Sequence, residues 1–155
     1  MVLSRDEAIA WVAERRAEGA RIVFTNGVFD LLHPGHVRYL AEARALGDAL
    51  VVGVNSDPSA RALEKGTGRP ITPAVERAEI LAALGVVDAV VIFDEPTPHQ
   101  VVTGLQPDVL VKGADWAEGL IVGADVVEGR GGRVVRIPLA AGYSSTKLID
   151  KVRNS

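Results

Sequence analysis

Residues 22–36 read I-V-F-T-N-G-V-F-D-L-L-H-P-G-H. Three apolar positions run into Thr25, Asn26 and Gly27, the pattern of a short strand closing in a polar turn. Pro34 then presets a helix-compatible φ. Val37, Leu40, Ala41 and Ala43 recur at helical spacing as far as Gly47, so a helix is expected over His36–Leu46. Strand, polar loop and helix in that order open a parallel α/β fold.

The same order repeats along the chain. A-L-V-V-G-V-N-S-D (49–57) is a nearly continuous apolar strand, which suggests a strand covered on both faces. Residues 57–72 are polar and rich in Gly and Pro, a long loop with room for one helical turn. P-A-V-E-R-A-E-I-L-A-A-L-G (73–85) is a helix with Pro73 in its first turn. V-D-A-V-V-I-F (87–93) is a strand, T-P-H-Q-V-V-T-G-L (97–105) a short helix and P-D-V-L-V-K-G (107–113) a strand. Residues 116–129 are expected to be helical despite Gly119 and Gly123. G-G-R-V-V-R-I-P-L (131–139) is the last strand, and Ser144 caps a final helix over 144–154. Upstream, Ser4 and Glu7 form a capping-box pattern for a helix over Arg5–Glu18, stopped by Gly19. The sum is a doubly wound, five-stranded parallel sheet with right-handed crossovers.

The 155 residues suit one domain, 1–155, with an ordinary 48 % apolar and 24 % charged composition. A net charge of −3 argues against a nucleic-acid or anionic-membrane binder, so an anionic ligand needs a local basic cluster. The absence of cysteine removes disulfides, thiolate catalysis and Cys-type zinc sites. The charged N-terminus has no signal-peptide core, and no apolar run approaches the ~20 residues that span a bilayer. A cytoplasmic location is expected.

Ligands of doubly wound sheets sit beyond the carboxyl ends of the strands, where the strand order reverses. Four polar stretches fall at predicted strand ends: T-N-G-V-F-D-L-L-H-P-G-H, N-S-D-P-S-A-R-A-L-E-K-G-T-G-R-P, K-G-A-D and A-A-G-Y-S-S-T. In the first, His33 and His36 flank Pro34-Gly35 at a helix start, where unpaired N–H groups and the helix dipole attract phosphate. Two imidazoles there donate to phosphoryl oxygens, or else simply cap a solvated turn. A metal reading is weaker, because no third ligand follows at useful spacing. Asn26 and Gly27 close the first strand, and Gly27 suits either close ligand approach or an ordinary turn. Asp30 reads as a ligand for a hydroxyl, a partner for a basic residue or a local turn acceptor; Phe29 reads as core. Lys65 lies in a Gly-rich loop with Arg61 and Arg69 nearby, suited to closing over a polyphosphate or to solvation alone. Arg77, between Glu76 and Glu79, reads alone as a surface ion pair. Lys112-Gly113 ends a strand, with Asp115 placed to orient Lys112 or bind a sugar hydroxyl and Trp116 to stack or pack. Ser144, Ser145 and Thr146 exceed what capping alone needs, and suggest an anion site. Neither a P-loop nor a G-x-G-x-x-G fingerprint is present.

Taken in order, T-N-G-V-F-D-L-L-H-P-G-H, the lysine-bearing loop, E-R-A-E-I-L and G-Y-S-S-T-K-L-I resemble the cytidylyltransferase-like nucleotidyltransferase family, from about Ile22 to Val152. N-S-D, G-R-P-I-T-P, P-D-V-L-V-K-G-A-D-W, I-V-G-A-D-V-V-E and G-G-R-V-V-R-I-P-L look like its heptose 1-phosphate adenylyltransferase subgroup. The resemblance implies a Rossmann-like nucleotidyltransferase fold, transfer of AMP from ATP to a sugar 1-phosphate, and Mg²⁺ carried mainly by phosphates. It implies that His33, His36 and Lys65 act on the triphosphate. Asn26, Gly27, Phe29, Gly35, Arg77, Ser144, Ser145 and Thr146 would bind nucleotide, and Asp30, Lys112, Gly113 and Asp115 the sugar phosphate. Leu139 stands where CTP-dependent glycerol- and ethanolamine-phosphate subgroups carry Arg, which favours ATP over those alternatives. An FAD-synthetase-like adenylyltransferase, a nucleotide-binding regulator and a structural oligomerisation domain are the other readings. The kinase half of two-domain members is not in this sequence, which makes it either a stand-alone enzyme or an excised domain; the initiating Met and full first helix favour the former as an expectation, with a homodimer as the implied assembly.

Overall fold

The computed structural model describes residues 1–63, 68–113, 121–138 and 142–155. Six strands lie in one sheet: β1 (Val2–Leu3), β2 (Ile22–Gly27), β3 (Ala49–Asn55), β4 (Ala89–Phe93), β5 (Val109–Gly113) and β6 (Arg133–Ile137). The order is β1-β4-β3-β2-β5-β6, and every pair is parallel. Five strands match the expected ones. The sixth, β1, pairs Val2 with Val90 and Leu3 with Val91 at the sheet edge. Two residues before a helix cap carry no alternation to read, so only the tertiary ladder reveals this strand.

Side chains alternate across the strands, and helices cover both faces. Ile22 and Phe24 pack with Val12 of α1 (Arg5–Ala17), Val101 and Leu105 of α5 (His99–Leu105) and Val127 of α6 (Ala124–Gly129). Val23 faces the other way, toward Leu40 and Ala43 of α2 (Pro34–Arg44) and Ala78 and Leu81 of α4 (Ala74–Ala82). All seven residues of β3 are buried, as the unbroken apolar run requires. Among its described residues, the polar stretch after β3 holds one short helix, α3 (Asp57–Arg61), capped by Ser56. The final helix, α7, spans Ser145–Arg153. Within 116–129 the described helix begins only at Ala124, because Gly123 sits at φ 94°.

One device repeats at the amino edge of the sheet. Asp48, Asp88 and Asp108 each precede a strand, and each carboxylate accepts from a backbone N–H of the neighbouring segment: Arg21 at 2.7 Å, Leu50 at 2.8 Å and Ile22 at 2.8 Å. Each aspartate N–H returns a bond to that same residue's carbonyl. These pins fix register at the edge opposite the strand carboxyl ends. From β2 the chain steps through β3 to β4, then crosses to β5 on the other side of β2. The strand order therefore reverses between β2 and β5, which places a crevice beyond their carboxyl ends.

Candidate active site

A cavity of about 500 Å³ fills that crevice. Asn26 and Gly27 from β2, Asn55 from β3, and Lys112 and Gly113 from β5 form its floor. The starts of α2 and α7 form its walls, through His33, Gly35 and His36 on one and Ser144, Ser145 and Thr146 on the other. The α2 helix begins at Pro34, two residues earlier than the spacing predicts, so His33 is the N-cap and His36 the third helical residue. His36 Nδ1 accepts from the His33 backbone N–H at 3.3 Å. An accepting Nδ1 leaves the proton of the neutral ring on Nε2, which becomes a donor. His33 Nδ1 is buried and has no hydrogen-bond partner among the described residues. A proton there would be an unpaired buried donor, so this ring also carries its proton on Nε2. Gly35 makes the arrangement possible: a Cβ there would lie 2.9 Å from His33 Nδ1 and 3.0 Å from Tyr143 Cβ.

The rings form a stack. His33 and His36 have centroids 3.8 Å apart, Phe29 packs 5.5 Å from His36, and Tyr143 lies 5.9 Å from His33 at an interplanar angle of 14°. Burial pushes both imidazoles below their ordinary range; for His36, burial and the neighbouring His33 bring the value to about 4. Both rings are therefore neutral donors at pH 7 until an anion arrives.

On the floor, Lys112 Nζ donates to Asn26 Oδ1 across the switch point. That bond fixes the Asn26 amide with its NH₂ as the remaining polar group. Burial lowers the Lys112 ammonium to about 8. Asp30 is almost wholly buried and accepts from the N–H groups of Ile71 and Thr72, at 2.8 and 2.9 Å, and from Arg69 Nε at 3.3 Å. Arg69 Nη1 also donates to Thr146 Oγ1 at 3.0 Å. Ser144 Oγ accepts from the Lys147 N–H at 2.9 Å, and Ser145 Oγ donates to the Leu31 carbonyl at 2.7 Å. The α7 start is thus tied directly to the loop that carries the histidines.

A family model described as cytidylyltransferase-like matches residues 24–151. The chain belongs to that family. Bifunctional protein HldE from Koribacter versatilis is 53 % identical over 150 residues, which cover 97 % of this chain and 31 % of that protein. HldE from Geotalea uraniireducens is 54 % identical over 148 residues, covering 96 % and 30 % respectively. The chain accordingly spans about 30 % of the length of these curated relatives. Among solved structures, the lipopolysaccharide core biosynthesis protein from Thermoplasma volcanium is 33 % identical with a TM-score of 0.69, over 79 % of this chain and 99 % of that one. Pantoate-beta-alanine ligase from Francisella tularensis, 12 % identical, shares the fold at a TM-score of 0.65 over 97 % of this chain and 72 % of that one.

In this family member, twelve residues singled out in the sequence line this cavity: Asn26, Gly27, Phe29, Asp30, His33, Gly35, His36, Lys112, Gly113, Ser144, Ser145 and Thr146. Arg77 does not. Its side chain is fully buried and donates to the carbonyls of Thr72 (2.8 Å), Val28 (2.7 Å) and Asn55 (2.8 Å), and to Asp57 Oδ1 (2.7 Å). Its guanidinium is spent on three loops and not turned to the cavity. Asp30 likewise holds the 69–72 segment with both oxygens. Lys65, Asp115, Trp116 and Leu139 lie outside the described residues. Asn55 and Tyr143 line the cavity without having been singled out as binding residues, and Arg69, read with Lys65 as a cation of a loop suited to a polyphosphate, lines it too. Their signal was positional: each stands in a polar stretch at a strand's carboxyl end.

Proposed function

We propose that this chain is a single nucleotidyltransferase domain that transfers AMP from ATP to a sugar 1-phosphate, D-glycero-D-manno-heptose 1-phosphate, and forms ADP-heptose for lipopolysaccharide or related glycans. One observation carries the reading: two helix starts, one flanked by paired Nε2–H donors, face the same cavity at the switch point. A polyphosphate chain is the ligand that such an arrangement suits. The heptose assignment is supported by the resemblance of N-S-D, P-D-V-L-V-K-G-A-D-W and G-G-R-V-V-R-I-P-L to that subgroup. The likeness to HldE and to a lipopolysaccharide core biosynthesis protein points the same way.

In the proposed reaction an oxygen of the sugar phosphate attacks the α-phosphorus in line. The new O–P bond forms as the bond to pyrophosphate breaks, and pyrophosphate leaves with the electron pair. A phosphate monoester is already anionic near neutral pH, so alignment and charge stabilisation suffice. His33 and His36 donate to oxygens that gain charge, and the Lys112 ammonium and the α7 start complete the cradle. Lys65 is the proposed further cation.

Among the described residues no cluster of three or more His, Asp or Glu could hold a metal. Asp30, the carboxylate in the lining, has both oxygens engaged. Mg²⁺ fits this cavity as an ion carried on phosphate oxygens and water, its usual coordination with nucleotides. Bound so, it neutralises the triphosphate. Among the described residues no helix is long and apolar enough to cross a membrane. A cytoplasmic location and a homodimeric assembly are part of the proposal, the latter on family resemblance.

The deciding experiment crosses ATP and CTP with heptose 1-phosphate, glycerol 3-phosphate and FMN, in the presence of Mg²⁺ and pyrophosphatase. Phosphate release is expected with ATP and heptose 1-phosphate. Release with CTP and glycerol 3-phosphate alone overturns the assignment.

A further inference from the structure

Phe29, Tyr39 and Tyr143 line the cavity, and the proposed chemistry gives Tyr143 no part. Tyr143 precedes the cap of α7, and its ring stacks on His33 with a 5.9 Å centroid separation and only 14° between planes. The Arg38 guanidinium, from α2, lies 5.3 Å from the centroid of the same ring. Tyr143 is therefore held between two side chains of the histidine-bearing segment while its own backbone belongs to the α7 start.

His33 needs such a neighbour. An imidazole is usually oriented by the hydrogen bond its second nitrogen makes. His36 has that bond, through Nδ1 to the His33 N–H. His33 lacks a full one among the described residues: its Nδ1, buried against Gly35, only faces the His36 N–H across the helix start, and that N–H is bonded to the His33 carbonyl at 3.0 Å. What fixes its plane is packing: His36 at 3.8 Å and Tyr143 at 5.9 Å. A ring lying near-parallel to its neighbours loses stacking contact when it turns about χ2, so removing the Tyr143 ring frees that motion on one side.

We propose that Tyr143 is a positioning residue, which orients His33 by ring stacking and makes that orientation depend on the docking of α7 against α2. The aromatic face carries the role, and the phenol hydroxyl does not. The proposal rests on the nucleotidyltransferase reading only for its kinetic consequence. With 40 % of its surface exposed, Tyr143 can be replaced without opening the core.

The experiment compares Tyr143→Ala, Tyr143→Leu and Tyr143→Phe in the full chain, by kinetics with ATP and heptose 1-phosphate and by ¹⁵N-edited NMR of the histidine rings without substrate. In the alanine and leucine variants kcat is expected to fall about tenfold to a hundredfold, the cost of a misplaced group. KM for ATP changes less than about threefold, because the helix starts still bind. The His33 ring signals shift and broaden while those of His99, in α5, stay put. The phenylalanine variant restores both readouts. Wild-type kcat in Tyr143→Ala overturns the proposal, as does an unchanged His33 spectrum. A phenylalanine variant as slow as the alanine one overturns the stacking argument. If the wild-type protein turns over none of the substrates, the substrate assignment falls and the ring spectra still decide the role of Tyr143.

Discussion

At the scale of single residues, the two histidines of H-P-G-H differ in how they are held. His36 is locked by a hydrogen bond, and burial together with the neighbouring His33 brings its pKa to about 4. In the free protein it should stay neutral down to that pH, and in the complex with Mg–ATP the phosphates should raise its value; NMR titration of the rings reads both. The sign for stability follows. The unfolded ring protonates near 6.5, the folded one near 4, so as pH falls through that window the unfolded state takes up the proton first and folding weakens. His36→Ala should remove this acid sensitivity from urea melts. It should also lower kcat about a hundredfold or more, the effect of one lost transition-state donor, with ATP binding less affected. The order of histidines, glycine and hydroxyls along the chain is legible in the sequence itself. The direction of Arg77 was not: an arginine flanked by glutamates reads alike whether it meets phosphate or three carbonyls. The Asp30–Arg69 bond was equally hidden, because it joins residues that no local spacing connects.

Among elements, α2 shows why a helix start can favour glycine at a position where propensity disfavours it. Ala at position 35 would gain up to about 1 kcal/mol of helix propensity. Its Cβ, however, would stand 2.8 Å from His33 Cε1, so the ring must move. We therefore expect Gly35→Ala to leave the thermal midpoint within a few degrees of wild type while kcat falls about tenfold or more. A variant with both values unchanged contradicts the tight ring-to-glycine contact. The strands and the larger helices were readable because periodicity is a local property; α2 was misplaced by two residues because Pro34 and His33 read as loop until the cap is seen. Val2–Leu3 could not be read, since its strand character comes entirely from Val90 and Val91.

For the molecule as a whole, the register pins and the cavity sit at opposite edges of one sheet. The three aspartates pin the amino edge, and the carboxyl edge is left to loops. Arg77 compensates there, joining the segments that follow β2 and β3 to the turn before α4. Arg77→Met removes a buried cation and strands three carbonyls. It should cost about 3 kcal/mol in urea unfolding, the lower end for a broken buried pair, because Asp57 keeps 35 % of its side chain in water. A loss below about 1 kcal/mol would show that the loops hold themselves.

The hydroxyls at the start of α7 invite a simple mutational reading that their bonding forbids. Ser144 closes its own helix, Ser145 reaches the Leu31 carbonyl and Thr146 accepts from Arg69. Alanine scanning across this trio would loosen three internal fastenings at once. Any drop in turnover would then gauge how well the wall is assembled, and the grip on an incoming anion would have to be read from the main-chain amides instead.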